Sequence, residues 1–69
     1  MKKLDLHNTR HEFAGAIVEN FVLLTPAPLK IITGNSHRMK EITTTVLDQH
    51  DIEYDSQPHE GWIIVRKND

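Results

Sequence analysis

Leu29-Lys30-Ile31-Ile32-Thr33-Gly34-Asn35-Ser36 is the stretch on which the fold turns. Its first five residues are apolar or β-branched at four positions, which suits a buried strand. Gly34-Asn35-Ser36 then breaks the strand. The pattern that follows has another period. Met39, Ile42, Thr43, Val46, Leu47 and His50 recur at i, i+3, i+4 and i+7, the stripe of a helix near residues 37–50. Lys40, Glu41, Thr44, Asp48 and Gln49 fall on its solvent side. A strand feeding a helix through a tight turn predicts a strand–helix–strand crossover.

Upstream, the same unit occurs again. Lys3 to His7 alternates, with Leu4 and Leu6 on one face and Asp5 and His7 on the other. Thr9 and Glu12 have the spacing of a capping box, which predicts a helix over residues 9–24. Phe13, Ala14, Ile17, Val18, Phe21 and Leu24 supply its apolar stripe. Pro26 and Pro28 end it. Downstream, Ile52 to Ser56 alternates apolar with acidic residues, as suits a sheet edge. Gln57 to Gly61 reads as a turn. Trp62-Ile63-Ile64-Val65 reads as a central strand, and Lys67 to Asp69 as a frayed polar end.

The order β-α-β-α-β-β predicts an α+β two-layer sandwich. Its four-stranded mixed sheet has the order 1-2-4-3, with the acidic third strand at an edge and both helices on one face. The 69 residues, 38% of them hydrophobic, form a single domain over 1–69. So short a chain buries about 60% of its unfolded surface, so a monomer or weak homodimer of modest stability is expected. The absence of cysteine excludes a disulfide framework and a zinc ribbon. No apolar run reaches membrane-span or signal-peptide length, which predicts a soluble, cytoplasmic protein with no membrane partner.

The net charge of -2 argues against a bulk nucleic-acid coat protein, but the charge is divided. Residues 1–40 hold six Lys or Arg against three acids, and residues 41–69 hold two against seven. One basic face and one acidic face are compatible with local nucleic-acid contact.

Ligands of parallel α/β units gather beyond the carboxyl ends of the strands. Two such ends lie side by side here. One closes on Asp5-Leu6-His7-Asn8 and the other on Thr33-Gly34-Asn35-Ser36-His37. The second opens a helix, whose unpaired N–H groups suit a phosphate. Gly34 permits close backbone approach. Arg38 and Lys40 add positive charge. Thr33, Gly34, Asn35, Ser36, His37, Arg38 and Lys40 are therefore the candidate phosphate-binding residues. Asp5 and His7 supply a carboxylate and an imidazole for acid–base work on a phosphodiester. His11 stands four residues after His7, but the break at Asn8 spoils a metal pair, and no metal ligands are assigned.

Leu4-Asp5-Leu6-His7 opening a strand, and Ile31-Ile32-Thr33-Gly34-Asn35-Ser36 entering a second helix, together resemble the Smr (small MutS-related) domain. The resemblance covers nearly the whole chain. It implies the same two-layer fold, nucleic-acid binding and, in many members, endonuclease activity on RNA or DNA, in some at the ribosome. Asp5 and His7 match the residues usually assigned to catalysis or substrate binding, and Thr33-Gly34 match the first half of the glycine motif. Asn8 stands where the family usually has Gly, and a left-handed Asn would be its conservative replacement. Ser36 stands where it usually has a second Gly, and suits a helix N-cap.

Three functions follow as expectations. The first is an RNA-favouring nuclease without a cofactor, since the 2′-OH is the nucleophile. A DNA nick would draw on a divalent metal to activate water. The second is a non-catalytic module docking on nucleic acid, a ribosome or a protein. The third is a small dimeric interaction protein using its acidic edge, such as an inhibitor of a larger nuclease.

Overall fold

A computed structural model describes residues 1–68. Its elements run β1 (Lys2–Asp5), α1 (His11–Leu24), β2 (Leu29–Ile32), α2 (His37–Gln49), β3 (Glu53–Ser56) and β4 (Trp62–Lys67). The sheet order is β1-β2-β4-β3, as expected. β1 and β2 are parallel, and β4 runs antiparallel to both β2 and β3. β2 and β3 are therefore parallel to one another. Two crossovers that step the same way across the sheet, both right-handed, place α1 and α2 on the same face.

Burial follows that layering. Leu29, Ile31, Ile63 and Val65 point under the helices and are sealed from solvent, while Lys30, Ile32, Trp62 and Ile64 alternate onto the uncovered face. Ala14, Val18 and Val22 of α1 and Met39, Thr43, Val46 and Leu47 of α2 complete the core. The Thr43 hydroxyl is not orphaned there, because it donates to the Met39 carbonyl at 2.9 Å. No helix among the described residues is long and apolar enough to cross a membrane.

The structure corrects the stripe expected on α1. Phe13, Ile17 and Leu24 are exposed, Leu23 with them, and Phe21 is half-buried. The buried line is the four-spaced run Ala14–Val18–Val22. Apolar residues cover more than half the circumference of this helix, so periodicity does not identify the centre of the arc. Close packing decides it. A Cβ on Gly15 would stand 3.9 Å from both Ile42 and Val46 of α2. The small side chains at 14 and 15 thus face the junction of the two helices, and the larger ones turn outward.

The start of α1 is also corrected. The Thr9 N–H donates to the Leu6 carbonyl at 2.9 Å, which commits Thr9 to the turn that lifts the chain off the sheet. Arg10 becomes the N-cap, in extended conformation and without a side-chain cap bond. Glu12 then pairs with Arg10 at 2.9 Å instead of closing a capping box. α2 does receive its cap, since the Ser36 hydroxyl accepts the Met39 N–H at 3.1 Å.

At the other end, β4 continues through Lys67, and Asn68 is anchored. Its amide nitrogen donates to the carbonyls of Val22 at 2.8 Å and Thr25 at 2.7 Å. Its oxygen accepts the Ala27 N–H at 3.2 Å. One side chain thereby pairs two carbonyls at the end of α1 and an amide of the following loop. Removing it strands these backbone groups near the core. Asn68→Ala is expected to destabilise the chain by about 1–3 kcal/mol, read as a lower urea midpoint at unchanged slope. Asp69 lies outside the described residues.

Candidate active site

Leu6 is the residue that builds the site. It follows the last residue of β1, donates its N–H to the Ile32 carbonyl at 2.7 Å, and is completely buried. With Leu6 driven inward, Asp5 and His7 on either side of it must point outward. Their side chains are about half exposed and meet. The Asp5 carboxylate accepts the His7 backbone N–H at 3.0 Å and faces the His7 Nδ1 at 2.5 Å. A carboxylate is acceptor only, so Nδ1 carries the proton, and in the neutral ring Nε2 holds the lone pair. These two bonds from His7, the side-chain one first, hold the Asp5 carboxyl below the usual carboxylate range.

Gly34 lies against this pair. Its φ of 68° is left-handed, which an L side chain rarely adopts. A Cβ there would stand 3.5 Å from the His7 Cβ. Asn8, by contrast, is not in the left-handed region. Among the described residues, Asp51, in the turn after α2, is the non-glycine residue with positive φ, at 53°. Asn8 thus does not act as a left-handed replacement for glycine.

The other candidate phosphate-binding groups are largely engaged within the chain. Thr33 is buried, and its hydroxyl donates to the Gly34 carbonyl at 3.0 Å. The N–H groups of Thr33 and Gly34 both donate to the Gly61 carbonyl, at 2.9 and 3.0 Å. The Ser36 hydroxyl is occupied in capping. Lys40 reaches the carbonyls of Pro58 at 3.1 Å and Gln57 at 3.4 Å, which ties α2 to the β3–β4 turn. Arg38 pairs with Glu41. Asn35 and His37 are exposed and, with Lys40, line a cleft of about 450 Å³ between α2 and that turn. Asp5 and His7 do not line it. The expected single cradle is therefore divided. Asp5, His7 and Gly34 lie together, while Asn35, His37 and Lys40 face the neighbouring cleft.

Among the described residues, no three His, Asp or Glu side chains converge as metal ligands. His50 is spent on Glu19, with Nε2 at 2.8 Å from its carboxylate.

Gly61, in sequence the end of a turn, belongs to this region as well. A Cβ on it would come within 3.2–3.3 Å of the Gly34 backbone. A glycine immediately before the most apolar strand was the available signal, because close backbone approach is one reason for glycine at such a place. Gly61→Ala must push β4 away from Gly34 and weaken both bonds to the Gly61 carbonyl. A loss of about 1–3 kcal/mol is expected in chemical denaturation. Unchanged stability would mean that the two backbones separate freely.

No known family model, curated protein or solved structure matches this chain.

Proposed function

We propose that this chain binds nucleic acid, RNA in preference to DNA, and cleaves RNA phosphodiesters at the Asp5–His7 pair. The observation that supports this reading is the carboxylate–imidazole pair at the end of a parallel strand, beside a left-handed glycine. In the proposed step His7 Nε2 takes the proton of the ribose 2′-OH. The 2′-oxygen attacks phosphorus, the bond to the 5′-oxygen breaks, that oxygen takes a proton from water, and the hydroxide so formed takes the proton back from His7. The products are a 2′,3′-cyclic phosphate and a 5′-OH end. Asp5 fixes the ring and stabilises the imidazolium that forms, as in other carboxylate–imidazole pairs. The nucleophile is part of the substrate, so the step does not require a metal-activated water.

A second reading has its own support. The Thr33 and Gly34 amides, natural donors to a phosphate oxygen, already serve the Gly61 carbonyl. A site short of donors suits a module that binds nucleic acid, alone or on a ribosome, without cutting it. Purified chain incubated with end-labelled RNA and DNA, with and without chelator, separates the two. Chelator-resistant RNA cleavage that leaves a cyclic phosphate supports the nuclease. Retention of intact RNA supports the binding module, and no retention of either polymer overturns both.

A further inference from the structure

The uncovered face of the sheet continues directly from the Asp5–His7 pair. Residues in register share a face, so Asp5, Ile32 and Trp62 form one row across β1, β2 and β4. Lys3, Lys30, Ile64 and Asp55 form the next row. Neither helix covers these side chains. Ile32, Trp62 and Ile64 are half-buried and make an apolar floor. Lys30 holds its ammonium 5.3 Å from the centre of the Trp62 ring, and Lys3 lies beside it in register. Asp5 and Asp55, the acids of the two rows, are each paired, Asp5 with His7 and Asp55 with Arg66 at 3.3 Å. Among the described residues of these two rows, Lys3 and Lys30 are the charged groups without an ion-pair partner. Trp62 stands two interstrand steps from Asp5, about 10 Å.

We infer that this face is a stacking platform for single-stranded nucleic acid, with a base on Trp62 and the adjoining backbone leading to His7. An aromatic floor edged by lysines complements a polyanion that carries flat apolar rings. The platform selects single strands, because duplex bases are already stacked and present no free face. Lys30 does not block it. An exposed cation–π contact is weaker than a stacked base, and the displaced ammonium reaches a phosphate instead. The inference rests on the reading of the Asp5–His7 end as a nucleic-acid site and extends it to a substrate class and a second contact.

Trp62 is the only tryptophan, so its fluorescence reports on this face alone. The intact chain is titrated with a fluorescein-labelled 12-nucleotide RNA, single-stranded or annealed to its complement. Labelled-strand anisotropy gives binding, and tryptophan emission gives stacking. The expected result is saturable quenching by the single strand and none by the duplex. Trp62→Ala should weaken binding by about 5- to 150-fold, with Trp62→Phe recovering most of it. Anisotropy that rises while emission and the Trp62→Ala affinity stay unchanged overturns the platform but not the Asp5–His7 site. Equal quenching by duplex also overturns it. No rise in anisotropy removes both. Should Trp62→Ala fail to fold, the wild-type emission decides: quenching by the single strand and not by the duplex supports the platform, and unchanged emission overturns it.

Discussion

His7→Ala is expected to lower RNA cleavage by about 10²–10⁴-fold, the usual contribution of one positioned acid or base. Its effect on stability should stay within about 0.5 kcal/mol, as for other exposed side chains. The imidazole is half exposed, and its partner is the equally exposed Asp5. Asp5→Asn should slow cleavage less. The amide oxygen still accepts from Nδ1, but the charge that stabilises the imidazolium is gone. The pH dependence has a definite sign. His7 holds Asp5 below the ordinary carboxylate value, so the pair is intact above that range and is lost as pH falls through the lowered value. The small stabilisation that the pair contributes should be lost in urea unfolding as pH falls through that acid range in the wild type. Asp5→Asn should lack this acid-side loss. If His7→Ala cuts at the wild-type rate, the nicking comes from another site or another protein, and the binding module becomes the better reading.

The elements that were legible in the sequence are those set by local pattern. Leu4 to His7 alternates, so burying Leu6 exposes Asp5 and His7 whatever else the fold does. The contrast between the acidic strand at 52–56 and the apolar run from 62 placed one at the edge and the other inside, and the sheet has that order. The features that were not legible depend on partners distant along the chain. The rotation of α1 is decided by how closely Gly15 lets α2 approach. Thr9 is taken from its capping box by a turn that the sheet requires. Asn68 reads as part of a polar tail until Val22, Thr25 and Ala27, more than 40 residues earlier, arrive beside it. The candidate cradle divides for the same reason. Lys40 and the amides of Thr33 and Gly34 find carbonyls in the 57–61 turn, which nothing near residues 33–40 announces.

Leu6→Ala is expected to have the largest effect on stability of any change near the site, about 2–5 kcal/mol. Leu6 is fully buried and belongs to the same core as Leu29, Ile31 and Leu47. Removing most of its side chain leaves a void that the sheet and helices fill only in part. At about 0.05–0.15 kcal/mol per residue, a chain of 69 residues has about 3–10 kcal/mol in all, so this one change removes a large share. It should also disturb the site in a way His7→Ala does not. Leu6 is the anchor that turns Asp5 and His7 outward together, and its loss lets that segment lift from Ile32. Urea unfolding should show a much lower midpoint. Leu6→Met, which roughly conserves volume, should lose less than about 1.5 kcal/mol and keep the pair in place. Cleavage compared at a temperature where both variants remain folded separates anchoring from stability. The alanine variant should be slower per folded molecule, and the methionine variant should not. A Leu6→Ala midpoint close to wild type would mean that the core does not close over this residue, and the outward pairing of Asp5 with His7 would lose its physical cause.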